Sequence, residues 1–102
     1  MPNSRVTVYN PPYQFVGTEA VYSPTTSTPV TLPAGANGWL LQAITQNVCI
    51  RLDGNAATTS DFVLVAGNPP VKLIAPNPQY FFYCIEFASG GKLVAQPISE
   101  QY

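Results

Sequence analysis

Short apolar runs separated by turn residues recur along the whole chain. β-branched and aromatic residues fill these runs, whereas glycine, proline, asparagine and aspartate cluster between them. This pattern is typical of an all-β fold, and the frequent prolines exclude a long helix. The strands predicted after the N-terminal quarter are residues 29–32, 39–45, 48–52, 61–66, 71–74, 80–87 and 92–98. We therefore expect a single small antiparallel β-sandwich or barrel of about seven to nine short strands, with jelly-roll and immunoglobulin-like strand orders both open.

Two of the predicted strands differ in their expected burial. In residues 48–52 the apolar side chains alternate with Cys49 and Arg51, which predicts one core face and one partly polar face. Residues 80–87 are apolar on both faces apart from Glu86, which predicts a central strand or a face that packs against another subunit. If the two strands are antiparallel neighbours, we expect Arg51 and Glu86 to share a face with the two cysteines and to pair.

The N-terminal quarter of the chain has a different pattern. An apolar run at 6–9 predicts a strand, the Asn-Pro-Pro sequence at 10–12 forbids its continuation, and extended structure resumes over 15–22. Because these pieces precede the compact series of strands, we predict an extended N-terminal arm over residues 1–27. The β-sandwich core is predicted over residues 28–102.

Charged residues are scarce. The chain of 102 residues has four Lys and Arg, five Asp and Glu and no histidine, while 46% of its residues are hydrophobic. The surfaces of freely soluble proteins usually carry about 25 to 35% charged residues. A formal net charge of −1 without clustered cations argues against nucleic acid and anionic membranes as partners. The composition therefore favours a protein that is covered by other proteins.

The pattern contains no segment that would direct the chain to a membrane. The N-terminus lacks the apolar core of a signal peptide, and the longest apolar run, 63–71, is broken by Gly67, Pro69 and Pro70. We therefore expect the protein to be made and kept in a cytoplasm.

The residue types on which most enzymes rely are poorly represented. Without histidine, neither a serine nor a cysteine nucleophile has its usual base, and no glycine-rich phosphate loop precedes a helix. Asp53 and Asp61 flank one loop, but aspartates in such positions usually cap turns. We predict a non-enzymatic protein with no catalytic residue, no cofactor and no metal ion.

The two cysteines, Cys49 and Cys84, allow two interpretations. They could form a disulfide, which would stabilise the fold by about 3 to 4 kcal/mol in the chain-entropy model. Because the sequence has no secretion signal, two reduced and packed thiols are favoured.

Aromatic residues cluster in the predicted arm and indicate a contact surface. Aromatic side chains anchor protein interfaces, and they also occur in sugar-binding sites. A protein interface is favoured, because a sugar site needs convergent polar side chains and the arm has few. A second contact is predicted at the tip of the 53–61 loop. The residues predicted to contact other proteins are Val6, Val8, Tyr9, Tyr13, Phe15, Tyr22, Asp53, Asn55 and Asp61.

The stretch from Trp39 to Gly67, together with a later hairpin, resembles small structural proteins of tailed-bacteriophage virions. The shared motifs are R-L-D-G at 51–54, a small-residue loop at 56–60, an apolar strand and turn at 62–67, I-E-F-A at 85–88 and G-K-L-V at 91–94. The resemblance covers roughly the C-terminal two thirds of the chain.

This resemblance implies a virion component such as a capsid cement or decoration protein, or a neck or tail accessory. Its partners would be the major capsid protein or another virion structural protein, and it would form a homo-oligomer within a particle that assembles in the host bacterial cytoplasm. From the charge composition, no nucleic acid and no membrane are expected as partners. The alternatives are a carbohydrate- or receptor-binding β-module of a phage particle and a free-standing small β-protein.

Overall fold

The computed structural model describes residues 13–75 and 81–100. The predicted strand at 6–9, with Val6, Val8 and Tyr9, lies outside these ranges. All elements within them are strands, which confirms the predicted all-β class, and no described helix is long and apolar enough to cross a bilayer. The strands are β1 (Tyr13–Phe15), β2 (Ala20–Tyr22), β3 (Thr28–Thr31), β4 (Gly38–Ile44), β5 (Val48–Arg51), β6 (Phe62–Leu64), β7 (Val71–Ile74), β8 (Phe81–Glu86) and β9 (Lys92–Glu100).

The strands form two antiparallel sheets. The first sheet has the order β1-β9-β4-β7, with β2 also paired to β9, and the second has the order β3-β8-β5-β6. The pairings are nested: β5 pairs with β6, β4 with β7, β3 with β8, and β1 and β2 with β9. A hairpin folded over on itself in this way is a jelly roll. The tertiary structure thus selects one of the two strand orders that the sequence left open.

The core lies between the two sheets and is centred on one aromatic pair. The ring of Trp39 in the first sheet meets the ring of Phe82 in the second at 4.8 Å between centroids, with an interplanar angle of 87°. An edge-to-face contact of this kind adds about 0.5–1.5 kcal/mol to the burial of the two rings. The buried residues around this pair are Val30, Leu41, Ala43, Val48, Ile50, Cys84, Leu93 and Ala95.

The second half of the predicted arm forms an edge of the first sheet. β1 pairs with residues 98–100 of β9, and β2 pairs with residues 93–95. Between them the edge is interrupted: Val16 N donates to Pro97 O at 3.0 Å, and Gly17 follows with a φ of +70°. The interruption lies beside Pro97 of β9, which has no N–H to donate to a neighbouring strand. Residues 13–22 therefore belong to the same sandwich as β9.

The two cysteines lie on opposite faces of the second sheet. In the pairing of β5 with β8, Cys84 lies opposite Ile50, and Cys49 is therefore on the other face. Both thiols are free and buried. Burial raises the pKa of Cys84 to about 12. The favoured interpretation, two reduced and packed thiols, agrees with this arrangement.

We expect Phe82→Ala to lower the free energy of unfolding by about 3–5 kcal/mol, because it removes half of the central aromatic pair from a site with no exposed surface. Phe87→Ala is the matched control just beyond the same strand, since the Phe87 side chain is 47% exposed, and it should cost less than about 1 kcal/mol. Urea unfolding followed by circular dichroism measures both values. Equal losses for the two variants would contradict the assigned core.

Candidate functional site

Two edge strands lie together on one side of the sandwich. β6 is an edge of the second sheet, β7 is an edge of the first, and residues 65–70 connect them. We call residues 62–74 the β6–β7 side. Among residues 13–75 and 81–100, each of these edge strands has a neighbouring strand on one side only. The N–H and C=O groups of its other side can pair with a strand of another chain.

Exposed apolar side chains are concentrated on the β6–β7 side. Five of the eight large hydrophobic residues exposed in the described chain lie here, and Phe62 is the most exposed of them at 71%. The five are Phe62, Val63, Val65, Val71 and Ile74. The registers place Val71 on the core face of β7, whereas Val63 and Ile74 lie on the outer faces of the second and first sheets. The exposed apolar side chains therefore flank the two strand edges, and such a concentration of apolar surface usually marks an interaction site.

A groove on this side leads towards the core between the sheets. It has a volume of about 130 Å³, and its lining combines Leu41 and Ala43 from the core face of β4 with Leu64 from β6 and Val71 from β7. Leu41 and Ala43 are about 1% exposed and form the bottom of the groove, so its accessible apolar lining comes from Val63, Val65 and Val71.

The only charged residue of β7 is turned away from the strand edge. Lys72 Nζ lies 2.9 Å from Glu100 Oε1 and 5.9 Å from the centroid of the Tyr13 ring, so it is held over the outer face of the first sheet. Lysines on edge strands commonly prevent pairing with other chains. In this orientation Lys72 gives β7 little protection of that kind.

The opposite side of the sandwich is protected. β3, the other edge of the second sheet, contains Pro29, and a proline in an edge strand discourages pairing with a further strand. The corresponding edge of the first sheet is interrupted at residues 16–19 between β1 and β2. The β6–β7 side is thus the more open of the two, and a docking strand would be directed to it.

The loop between β5 and β6 is organised by Arg51. Its Nε and Nη2 donate to Asp53 Oδ1 and Oδ2 at 2.8 and 3.0 Å, and its Nη1 lies 4.0 Å from Asp61 Oδ1. This geometry corrects the expected pairing of Arg51 with Glu86, because the register places Arg51 opposite Tyr83. The Arg51 guanidinium, followed by the Asn55 N–H, holds the pKa of Asp53 well below its usual range.

The same loop folds over the outer face of the second sheet. Ala57 N donates to Ser27 Oγ at 2.8 Å, and Ser27 immediately precedes β3 on the far side of β8. Cys49 points to this outer face and is nevertheless fully buried. Burial and, to a lesser extent, the Asp61 carboxylate raise the pKa of its thiol. The expected partly polar face of β5 is therefore covered by its own loop at this point.

The predicted contact residues are divided among three places. Tyr13 and Phe15 stack on each other on the outer face of the first sheet, with ring centroids 6.1 Å apart. Tyr22 is half-buried and packs against the core of its own chain. In the loop, Asp53 and Asn55 are exposed and Asp61 is half-buried. The structure brings none of these groups onto the β6–β7 side.

The sequence analysis predicted strands at 61–66 and 71–74 but did not identify them as sheet edges or as a contact surface. The available signal was the absence of charge from residues 62–66, next to the paired prolines at 69 and 70. Short strands without charge are normally covered, and only the strand order shows that these two lie at the edges.

No protein-family model matches the chain, and neither the curated proteins nor the solved structures contain a match. Within residues 13–75 and 81–100, no group of three cysteine, aspartate or glutamate side chains is placed to hold a metal ion. The candidate site therefore depends on the geometry of the β6–β7 side alone.

We expect Arg51→Met to raise the pKa of Asp53 towards its usual value, because the variant loses both hydrogen bonds from the guanidinium. Since the folded-state pKa is depressed, the stability that this pair contributes is fully present above the unfolded-state pKa of about 3.9 and is lost as the pH falls through the folded-state value. A ¹³C NMR titration of the carboxyl carbon measures the change. Lys72→Met, which removes a cation paired elsewhere, should leave Asp53 unaltered. An unchanged titration in Arg51→Met would refute the assigned pair.

Proposed function

We propose that this chain is a non-enzymatic structural protein of a tailed-bacteriophage particle, which binds a capsid or a neck or tail assembly in many copies and reinforces it. The observation that carries the proposal is the β6–β7 side, where two strand edges and five large apolar side chains are exposed together. Jelly rolls occur as viral capsid domains, and this fold-level analogy supports the proposal. The 62–67 motif that resembles phage virion proteins includes β6 itself.

The proposed binding mode is the addition of a strand to β7. An extended segment from another chain would form main-chain hydrogen bonds with the free edge, and its apolar side chains would cover Val71 and Ile74. Main-chain pairing needs no charge on either partner, which suits a chain with nine charged residues, four basic and five acidic. The scarcity of charge thus agrees with a surface that becomes covered.

The proposed donor is the segment 6–9 of a neighbouring copy. Its sequence, Val-Thr-Val-Tyr, favours extended structure, and its length equals the four residues of β7. In the sequence, Pro11 and Pro12 separate this segment from β1, and neither has an N–H to donate to a ladder. Donation from each copy to the next is a head-to-tail contact, which generates rings or extended arrays.

Many such contacts would act together on a symmetric shell. A four-residue strand forms only a few hydrogen bonds, each worth about 0.5–1.5 kcal/mol net, so a single contact is weak. Copies that are held in place by the major capsid protein or another virion structural protein gain from effective concentration, which strengthens the whole set without a new contact. Reinforcement of the particle would follow from this network of weak links.

We expect Val8→Pro to prevent association between copies, because proline removes a donor from the centre of the proposed donor strand. Asn3→Pro is the matched control, since it introduces the same residue outside the segment 6–9. Sedimentation velocity measures self-association, and co-sedimentation with empty phage capsids measures incorporation. Normal association and incorporation of Val8→Pro would overturn the role of the arm.

We expect Val71→Lys to weaken association at least about tenfold, which corresponds to about 1.4 kcal/mol, because it places a charge in the apolar contact. Val21→Lys is the matched control: Val21 is 56% exposed against 44% for Val71, and it lies on the protected side of the sandwich. The same sedimentation measurements apply, with urea unfolding to verify that both variants fold. Equal effects of the two substitutions would contradict docking on β7.

A further inference from the structure

A second groove lies on the outer face of the first sheet and borders the β6–β7 side at Pro70. It has a volume of about 170 Å³, and its floor is formed by β4 and β9. In the register of these strands Leu40 lies opposite Gln96, and Gln42 lies opposite Val94. Two apolar and two amide side chains therefore alternate on the floor of the groove.

An aromatic ring stands at the rim of this groove. The side chain of Phe15 is 66% exposed, and the stacked ring of Tyr13 supports it from the neighbouring position on the same face of β1. Glu19, from the interruption between β1 and β2, adds a carboxylate to the lining. A single exposed ring is normal on a protein surface, so its significance here depends on the polar side chains beside it.

The two amide groups on the floor are anchored. Gln42 Nε2 donates to the carbonyl of Asn68 at 3.1 Å, and Gln96 Nε2 donates to the carbonyls of Pro97 and Gly17 at 2.9 and 3.3 Å. Because the NH₂ groups are committed to backbone carbonyls, the orientation of both amides is set. Their carbonyl oxygens are then positioned as acceptors for a ligand that carries hydroxyl donors.

We propose that this groove binds one neutral sugar ring of a glycan. The apolar face of a pyranose stacks on Phe15 and rests on Leu40 and Val94, while its hydroxyl groups donate to Gln42, Gln96 and Glu19. None of the described lining residues is a cation, and Lys72 on the same face is paired with Glu100, so the groove favours a neutral sugar over an anionic one.

The size of the groove limits the ligand to one ring at a time. Pockets for drug-sized molecules have volumes of about 300–1,000 Å³, whereas this groove has about 170 Å³. The rest of a longer glycan would continue across the outer face of the sheet. A site of this size binds weakly in one copy, and many copies on a particle would bind a glycan-covered surface strongly. This inference does not require the β6–β7 side to act as proposed.

The test uses the ¹⁵N-labelled full chain titrated with maltotriose, chitotriose and a β-galactotriose, each followed by ¹H–¹⁵N NMR. We expect saturable shifts with at least one of these neutral probes, at the backbone amides of Phe15 and of the floor residues of β4 and β9. An anionic comparator, 3′-sialyllactose, should bind at least tenfold more weakly. Tighter binding of the anionic probe, or no saturable shift with any neutral one, would overturn the proposal.

Two variants locate the binding. Phe15→Ala should weaken it at least tenfold, whereas Phe62→Ala, which removes a similarly exposed ring from the β6–β7 side, should leave it unchanged. Gln96→Leu keeps the size of the side chain but loses the acceptor, and it provides a second test if Phe15→Ala does not fold. Undiminished shifts in the folded groove variants would refute this site. Gln96 lines this groove and not the groove of the β6–β7 side, so association between copies should persist in Gln96→Leu, and failure here is distinct from failure of strand docking.

Discussion

The pairing of β4 with β9 is the contact on which the rest of the fold depends. It runs over seven residue pairs, from Gly38 opposite Ile98 to Ile44 opposite Lys92, and it joins strands that are distant in sequence. β9 carries β1 and β2 on its other side, and β4 carries β7. The close approach of β7 requires glycine at position 38, since a Cβ there would lie 2.6 Å from Leu73 O. Loss of this ladder would divide the first sheet into two parts, β9 with β1 and β2, and β4 with β7.

The two sides of the sandwich differ because their edges are finished differently. On one side, Pro29 and the break beside Gly17 discourage further pairing, and the Pro97 carbonyl is already used within the chain. On the β6–β7 side the strands are short and uninterrupted, and Lys72 is their only charged residue. A jelly roll leaves such edges open unless side chains protect them, so the asymmetry directs binding to one side. The proposed assembly role follows from this asymmetry more than from any single residue.

Charged side chains act mainly within the chain. Arg51 organises the β5–β6 loop through Asp53, Lys72 is tied to Glu100, and Glu86 accepts the N–H of Gly90. Exposed ion pairs contribute little to stability, typically about 0–1 kcal/mol, but they determine where loops and side chains lie. In the part of the chain that the structure describes, no cation lines the groove of the β6–β7 side or the second groove. The groove of the β6–β7 side is lined mainly by apolar side chains, whereas the floor of the second groove combines apolar and amide side chains.

Much of the fold could be predicted from local patterns. The predicted strands at 39–45, 71–74 and 92–98 lie within a few residues of β4, β7 and β9, because turns need glycine or proline and strands need apolar alternation. The sequence analysis also favoured two packed thiols, and both cysteines are free and buried in the structure. The predicted division at residue 27 did not anticipate that residues 13–22 pair with β9, because a pairing partner some 80 residues away leaves no local trace.

The sequence by itself thus determined the class, the strands and the shortage of charge, all of which depend on neighbouring residues. Only the tertiary structure decided the jelly-roll order and the exposure of β6 and β7. It also decided the register of β5 and β8, which places Arg51 opposite Tyr83 and not opposite Glu86. It also brought Gln42 and Gln96 next to Phe15, which supplies the polar side chains that the arm lacks. The physical reason is the same in each case: antiparallel pairing joins distant segments, and a side chain's face and neighbours follow from that pairing.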